Sequence, residues 1–253
     1  MFAEERHKKI LKLIEQEASA KVARLSKEFN VSESTIRRDL KSLEEEGLIK
    51  RTHGGAVANG HTKFEPSFSE KENKYLKEKE RIGKVAADLV NDGDTIILDA
   101  GTTTTQIAKN LFNKSELTVI TNGVNIAIEL VQNDEVDVLL IGGSLKQKTL
   151  ALVGPVAQQA IKRFKVDKTF VGVNGITVKD GLTTPDIEEA EIKRMMINSA
   201  KEVTVVADHS KFGEVTFTSI CSINKINRII TDKEISNRVL DEYKRLDMEV
   251  NLA

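Results

Sequence analysis

The sequence contains 253 residues, 40% of them hydrophobic and 30% charged, which is enough to form one or two folded cores. The 38 lysines and arginines nearly balance the 39 aspartates and glutamates, and the net charge of −1 excludes a protein that coats nucleic acid through bulk positive charge. The single cysteine, Cys221, excludes a disulfide framework or a multi-cysteine metal cluster, and the four histidines are widely scattered, so neither a metal nor a cofactor is predicted. No stretch approaches the roughly 18 apolar residues of a membrane span, and the N-terminus has no signal-peptide pattern, so we expect a cytoplasmic protein without membrane contact.

The first part of the chain predicts three short helices. A first amphipathic helix is followed by an interruption at residues 18–21 and then by a second helix over Val22–Phe29. Asn30 is suited to end that helix in the left-handed conformation, and Ser32 is suited to cap the next one. The third helix is expected to run from residue 33 to about residue 46.

The exposed side of this third helix carries only hydroxyl and basic side chains in its first half. At about 100° per residue, Ile36, Leu40 and Leu43 cluster on the buried side. The opposite side and its flanks can therefore hydrogen-bond to base edges and phosphates in the major groove of DNA. The predicted DNA-contacting residues here are Ser32, Ser34, Thr35, Arg37, Arg38 and Lys41.

A basic hairpin is expected to follow the third helix. Residues 48–57 contain two short apolar stretches with a turn near Gly54, which is typical of the wing of a winged helix-turn-helix. Arg51, His53 and Gly54 are the predicted wing residues that would reach a phosphate or the minor groove. Residues 1–57 are thus predicted to form a DNA-binding domain.

The remainder of the chain has the pattern of an α/β domain. Residues 58–75 are interpreted as a linker, residues 76–253 as the larger domain, and the charged run at 70–81 is typical of a solvent-exposed helix face. Beyond about residue 94, short apolar runs alternate with helical segments, which favours a largely parallel sheet. The predicted strands cover residues 95–98, 117–120, 136–141, 168–171, 202–206 and 228–230.

Glycine, hydroxyl and amide residues follow several of these strands. Ligands bind at the carboxyl ends of parallel strands, so these residues are expected to converge on one crevice. Residues 99–104 have the composition of an anion-binding loop before a helix, and the ammonium group of Lys211 would suit a phosphate. The predicted ligand-binding residues at strand ends are Asp99, Gly101, Thr102, Thr103, Thr104, Thr121, Asn122, Gly142, Gly143, Asn174, Gly175, Asp208 and Lys211.

Several of these segments resemble the DeoR-type bacterial transcriptional regulators. The resemblance covers nearly the whole chain and is carried by residues 31–40 (VSESTIRRDL), 50–56 (KRTHGGA), 99–104 (DAGTTT) and 208–213 (DHSKFG). It implies a winged helix-turn-helix joined to an effector domain similar in fold to ribose-5-phosphate isomerase, which binds a phosphorylated sugar and assembles the oligomer. One glutamate of the helix around residues 188–193, taken as Glu188, would border the sugar together with Lys193, although that helix pattern is also typical of a charged exposed face. Asp39 is expected to pair with a neighbouring arginine and hold its side chain in place.

These observations predict a repressor of a sugar-utilisation operon. It would bind operator DNA as a homodimer or homotetramer and be released by a phosphorylated sugar, with fructose 1-phosphate as the first candidate because of overall similarity to fructose-operon regulators. The alternative is a sugar-phosphate isomerase with a DNA-binding appendage, but isomerases of this fold carry carboxylates where this chain has residues 173–176 (VNGI), so no enzymatic activity is expected. A protein-docking module would leave the basic, hydroxyl-rich helix surface unexplained.

Overall fold

The computed structural model describes residues 2–17, 19–52, 54–58, 62–63 and 65–253. The chain forms two compact units, Met1–Pro66 and Ser67–Ala253. Both units combine helices and strands, and the predicted class, a winged helix-turn-helix followed by a larger α/β domain, is confirmed. Within the described ranges, no helix has the length and apolar character needed to cross a membrane.

The first unit is a three-helix bundle closed by a small antiparallel sheet. Its helices are α1 (Ala3–Glu17), α2 (Val22–Phe29) and α3 (Glu33–Glu45), and its strands are β1 (Ser19–Lys21), β2 (Ile49–Thr52) and β3 (Gly55–Ala58). The strand order is β1-β3-β2, so the β2–β3 hairpin forms the predicted wing. The sequence did not predict β1, because three residues are too few to show the period-two pattern of a strand.

Local signals in the sequence set the helix ends of this unit. Asn30 adopts the left-handed conformation (φ 50°) after α2, and the Ser32 side chain accepts a hydrogen bond from the backbone N–H of Thr35, as predicted. Gly55 is required where β3 pairs with β1, because a Cβ atom there would lie 2.0 Å from the carbonyl oxygen of Ala20. These features place α3 and the wing side by side on one small core.

The second unit is built on a seven-stranded parallel sheet of order β15-β14-β12-β9-β4-β5-β6. In chain order, the strands are β4 (Thr95–Leu98), β5 (Leu117–Thr121), β6 (Val136–Leu140), β7 (Ser144–Lys146), β8 (Ala151–Val153), β9 (Val166–Val171), β10 (Gly175–Thr177), β11 (Gly181–Thr184), β12 (Ala200–Val206), β13 (Thr218–Cys221), β14 (Arg228–Thr231) and β15 (Glu249–Leu252). The helices are α4 (Phe68–Glu72), α5 (Leu76–Asp88), α6 (Thr102–Ala108), α7 (Val124–Leu130), α8 (Pro155–Ile161), α9 (Ile187–Ser199) and α10 (Asn237–Lys244). All six predicted strands belong to the parallel sheet, whereas β15 and the two small sheets, β10-β11-β13 and β7-β8, were not predicted.

Apolar side chains are buried on both faces of the large sheet. Along β4, Ile96 and Leu98 pack into the core beneath α5, α6 and α7, and Ile97 packs into the core on the opposite face. Burial on both faces explains why these strands read as continuous apolar runs. It also leaves polar residues at the carboxyl ends of the three adjacent strands β12, β9 and β4, where they can form a site.

Candidate functional sites

The N-terminal end of α3 presents hydroxyl groups. The Oγ atom of Ser32 accepts the backbone N–H of Thr35 at 3.2 Å and lies 2.8 Å from Ser34 Oγ and 2.8 Å from Thr35 Oγ1. These hydroxyls lie at or near the surface of the unit. They can exchange their mutual hydrogen bonds for phosphate or base-edge acceptors, because a hydroxyl both donates and accepts.

Basic side chains extend the same surface along α3. Arg37, Arg38 and Lys41 are all exposed. Arg37 Nη2 lies 2.8 Å from the carboxylate of Glu33, and Lys41 Nζ lies 3.6 Å from that of Glu45. Exposed ion pairs contribute little free energy, so both cations can transfer to DNA at small cost.

A buried ion pair joins α3 to α1. Arg6 donates from Nε to Oδ2 of Asp39 at 2.5 Å and from Nη2 to Oδ1 at 2.9 Å, and His7 Nε2 lies 3.1 Å from Oδ1. Burial by itself would raise the pKa of Asp39, but the hydrogen bonds from Arg6 and His7 outweigh burial and lower it. Asp39 thus pairs with an arginine of α1 and not with a neighbour on α3, so its role is to fix the orientation of the helix.

We predict that D39N destabilises the first unit by about 3 kcal/mol, because the buried guanidinium of Arg6 loses its counter-charge. The double variant R6M/D39L should recover most of that loss, since it replaces the pair by apolar groups. Urea unfolding followed by circular dichroism measures both effects. An unchanged unfolding free energy in D39N would contradict the assignment.

The same pair predicts an acid dependence with a definite sign. The folded-state pKa of Asp39 is lower than its unfolded value, so its stabilisation is fully present above the ordinary carboxyl pKa. The stabilisation is lost as the pH falls through the lowered folded-state pKa. D39N lacks this carboxyl, so its free energy of unfolding should fall less steeply than that of wild type as the pH is lowered.

The wing is connected to the end of α3. Arg51 Nε donates to Oε2 of Glu44 at 2.7 Å, and the Arg51 backbone N–H donates to Oε1 at 2.9 Å. Gly54 is exposed at the tip of the hairpin, and His53 lies outside the described residues. The structure therefore places the Arg51 side chain at the surface beside α3.

A polar pocket opens at the carboxyl ends of β4, β9 and β12. Residues 99–104 follow β4, residues 172–174 follow β9, and residues 206–208 lie at the end of β12. Helix α9 contributes Glu189 and Lys193 to the lining. The rest of the lining includes Lys71, Lys74, Tyr75 and Lys79 from the α4–α5 region and Lys211 from the loop after β12.

Ammonium groups outnumber carboxylates in this pocket. The lining contains five lysines, at positions 71, 74, 79, 193 and 211, and three carboxylates, at positions 99, 189 and 208. A pocket with this excess of positive charge at the ends of parallel strands suits an anion, and a phosphate dianion above all.

Lys79 is the most deeply buried of the lysines on the α4–α5 side. Its side chain lies on the apolar face of α5 that also carries Ile82 and Ala86, and the residue is 3% exposed. Burial lowers the pKa of Lys79 to about 8. Its Nζ donates to the backbone carbonyl of Lys71 at the end of α4.

A second buried lysine neutralises the carboxylate at the base of the pocket. Lys193 Nζ donates to Oδ2 of Asp99, which also accepts the backbone N–H of Gly172 at 3.2 Å. Burial raises the pKa of Asp99, and the ion pair with Lys193 opposes this rise. Beside them, the Thr149 hydroxyl donates to Oε1 of Glu189 at 2.6 Å.

Eight residues predicted from strand ends line the pocket together. They are Asp99, Gly101, Thr102, Thr103, Thr104, Asn174, Asp208 and Lys211. The loop after β4 is held by the Thr104 hydroxyl, which donates to the carbonyl of Asp99 at 2.6 Å.

The other predicted ligand residues lie outside this lining and have structural contacts. Thr121 donates to the carbonyl of Leu98 at 2.7 Å, and Asn122 Oδ1 accepts the backbone N–H of Ala100 at 3.0 Å, so both support the β4 loop. A Cβ at Gly143 or Gly175 would clash with the carbonyl oxygen of Val153 or Glu214, so close packing requires these two glycines, whereas a Cβ at Gly142 would make an ordinary contact with the Val156 side chain. Glu188 pairs with Lys146 at 2.7 Å, and the pocket glutamate is instead Glu189.

Sequence reasoning assigned no ligand role to Lys71, Lys74, Tyr75 or Lys79, and it left open which glutamate of α9 borders the pocket next to Lys193; the lining contains Glu189. The signal for Lys79 was present, because a lysine that shares a helix face with apolar residues at i+3 and i+7 must be buried. The segment predicted as a linker, residues 58–75, gave no such signal, yet it contains α4 and three of the pocket residues.

The first unit is a winged helix with a basic, hydroxyl-rich helix, and the second is an α/β unit with a polar pocket. This combination defines the class of DNA-binding transcriptional regulators that carry a sensor domain. The family model for the DeoR-like helix-turn-helix domain matches residues 6–62, and that for the DeoR C terminal sensor domain matches residues 74–233. The chain therefore belongs to the DeoR family of transcriptional regulators, and the resemblance drawn from the sequence is confirmed.

Individual relatives agree with this membership. The chain is 41% identical to the HTH-type transcriptional regulator FruR of Bacillus subtilis, over 92% of this chain and 93% of the relative. It is 35% identical to the lactose phosphotransferase system repressor of Staphylococcus epidermidis, over 96% of both chains. The solved ribose 5-phosphate isomerase A of Methanocaldococcus jannaschii is similar over 55% of each chain, with 18% identity and a TM-score of 0.40; a likeness at this level says nothing about function.

Proposed function

We propose that this regulator is a repressor whose affinity for operator DNA falls when a phosphorylated sugar binds the pocket of the second unit. The observation that carries the proposal is the convergence of five lysines with three carboxylates at the carboxyl ends of β4, β9 and β12. Lysines bind a phosphate dianion, whereas carboxylates and an amide bind sugar hydroxyls, so the pocket has the two kinds of group that a phosphosugar needs. The name of the lactose phosphotransferase system repressor is consistent with such a role.

Within this pocket, we assign the phosphate to Lys79, Lys211 and the loop at residues 101–104. The sugar hydroxyls are assigned to Asn174, Glu189 and Asp208. Fructose 1-phosphate is the first ligand to test.

The pocket is proposed to bind its ligand without turnover. Isomerisation needs a carboxylate base above the reacting carbons. Asp99 is engaged by Lys193 and by the backbone N–H of Gly172, and position 174 carries an amide whose Oδ1 accepts the Thr184 hydroxyl at 3.0 Å. An amide does not titrate near neutral pH and cannot act as the general base, which supports sensing over catalysis.

On the DNA side, we propose that Ser32, Ser34, Thr35 and Lys41 set the register on phosphates and that Arg37 or Arg38 reads base edges. Arg51, His53 and Gly54 of the wing would contact the flanking backbone. A helix-turn-helix of this size reads one half-site, so two copies of the chain are needed for a two-part operator. A homodimer or a homotetramer satisfies that need.

A thermal-shift panel of sugar phosphates tests the sensor assignment, because a specific ligand stabilises the folded state by mass action. We predict that one phosphosugar raises the melting temperature and that K211A weakens its binding at least tenfold, since a charge-assisted contact with the phosphate is lost. The matched control is K225A, because Lys225 is exposed and also ends a short 3-10 turn of the second unit.

Two outcomes would contradict the proposal. If no phosphosugar shifts the melting temperature while inorganic phosphate does, the pocket recognises only an anion. If a bound phosphosugar is converted to its isomer, the non-enzymatic assignment is wrong.

A further inference from the structure

The second unit begins with a short segment that is anchored at both ends. We call residues 67–75 the strap; it consists of α4 and the turn that ends at Tyr75. At its start, Ser67 and Glu70 form a reciprocal capping box, and the backbone N–H of Phe68 donates to the carbonyl of Lys148 at 2.6 Å. Ser67 directly follows Pro66, the last residue of the first unit, so the strap is the part of the second unit that is nearest in the chain to the DNA-binding unit.

The strap ends in a backbone conformation that its residue type disfavours. Tyr75 has φ 55° and ψ 40°, the left-handed region, which residues with a Cβ atom other than asparagine and aspartate rarely adopt. The ring of Tyr75 packs edge-on against His209, with 4.8 Å between the ring centroids, and Lys74 Nζ lies 5.3 Å from the Tyr75 centroid. Such strain persists where surrounding contacts hold the residue, and it marks positions that can switch.

The contact that holds Tyr75 belongs to a pocket loop. His209 is fixed by Asp232, which lies 2.8 Å from its Nδ1 and accepts its backbone N–H at 2.8 Å. On either side of His209 in the chain, Asp208 and Lys211 line the pocket. We expect a ligand that contacts these two residues to displace the loop and, with it, the His209 ring against which Tyr75 packs.

A second connection runs through Lys79. Its ammonium group donates to the carbonyl of Lys71, the residue before the last of α4, and Lys79 also lines the pocket. Lys79 is a 3% exposed residue, so its ammonium group is confined between the Lys71 carbonyl and the pocket, and a phosphate dianion attracts it more strongly than a neutral carbonyl does.

We propose that the strap is part of the effector site and transmits its occupancy: the bound phosphate draws Lys79 away from the end of α4, and movement of the 208–211 loop releases Tyr75. The inference rests on the proposed function and deepens it. Lys79 and His209 hold the strap through the hydrogen bond to Lys71 and the ring contact with Tyr75. When a ligand fills the pocket, Lys79 and the 208–211 loop contact the ligand in place of the strap, and the strap loosens.

Linkage provides a sharp test. S67A removes the capping oxygen of α4 and lies outside the pocket lining, so it should shift the strap towards its loosened state by about fivefold, the usual effect of a lost cap. Full-length S67A should then bind fructose 1-phosphate about fivefold more tightly and operator DNA about fivefold more weakly than wild type, because coupling between two sites is reciprocal. Calorimetry and fluorescence anisotropy measure the two affinities separately.

The matched control is S236A, which removes the same kind of capping oxygen from α10 in the same unit. It should change neither affinity. The strap assignment is overturned if S67A leaves both affinities unchanged, moves them in the same direction, or behaves like S236A. If wild type binds neither fructose 1-phosphate nor any other phosphosugar of the panel, the proposed function itself fails, which is a separate result.

Tyrosine fluorescence gives a second readout that does not depend on DNA. The chain has two tyrosines and no tryptophan, and Tyr243 is buried against Phe212 with 5.5 Å between ring centroids. Saturating fructose 1-phosphate should change the emission of wild type, and Y75F should lose that change. An equal change in Y75F would show that the signal comes from Tyr243 and would overturn the release of Tyr75.

Discussion

K79M is expected to abolish effector binding and, at the same time, to raise the stability of the ligand-free protein. Lys79 is 3% exposed and lies in the pocket wall, so its loss removes a desolvated cation from the phosphate subsite and should weaken binding at least 100-fold. Methionine keeps the length of the side chain and packs against the apolar face of α5. Calorimetry with the stabilising phosphosugar and a thermal melt measure the two effects.

The gain in stability follows from the pKa of Lys79. Burial lowers it to about 8 from an ordinary value near 10.5, and this shift corresponds to a cost of up to about 3 kcal/mol for keeping the group charged in the fold. That cost is fully present below the folded-state pKa and disappears as the pH rises towards the unfolded-state value. The lost hydrogen bond to the Lys71 carbonyl offsets part of the gain, about 1–2 kcal/mol.

The control for this experiment is K84M, an exposed lysine on the same helix. It should leave both binding and stability unchanged. Wild type should also bind its effector with full affinity between about pH 7, where the phosphate is still a dianion, and about pH 8, and more weakly above pH 8 as Lys79 loses its proton. If K79M binds the effector as tightly as wild type, Lys79 does not belong to the proposed phosphate subsite.

The second large effect is expected for R38A, which should weaken specific operator binding by about 10- to 100-fold. A guanidinium group that contacts a guanine edge contributes about 1–3 kcal/mol of discrimination. Arg38 is exposed on the surface of α3, and the core of the unit, which includes Ile36 and Leu40, lies on the other side of the helix. Anisotropy titrations with a DNA site selected from a random pool, at moderate salt, measure the loss.

R163A is the matched control, because Arg163 is an exposed arginine of the second unit and its loss changes the net charge equally. R38K separates charge from geometry, since lysine keeps the phosphate attraction but lacks the bidentate fork. Effector affinity should be the same in all three variants. If R38A binds the selected site as tightly as wild type, α3 does not read the operator through this residue.

Sequence patterns predicted the local elements of the DNA-binding unit closely. Helix α2 has the predicted bounds Val22–Phe29, and the Asn30 end and Ser32 cap are both present. These signals act over a few residues and are therefore visible in one chain segment. The sequence predicted that Asp39 pairs with a neighbouring arginine, whereas in the structure it pairs with Arg6. A local pattern could not show this contact, because the two residues are 33 positions apart in the chain.

In the sensor unit, the sequence predicted the strands and part of the pocket for a topological reason. Residues that follow β4, β9 and β12 converge because the carboxyl ends of parallel strands lie at one edge of a sheet. Residues at the ends of β5 and β6 follow the same rule in sequence, yet Thr121 donates a hydrogen bond to the carbonyl of Leu98, and neither Thr121 nor Gly142 lines the pocket. Their strands lie at the far side of the sheet from β12, a position that depends on strand order.

The sequence by itself determined the family, the two-part architecture and the position of α3 in this protein. Each can be predicted from short-range periodicity, capping residues and contiguous motifs, without knowledge of long-range contacts. Only the tertiary structure decided that the near-neutral chain concentrates lysines in one pocket, because Lys71, Lys79, Lys193 and Lys211 come from separate segments. It also decided that the segment before α5 belongs to the site, since burial of a charged side chain depends on what packs around it.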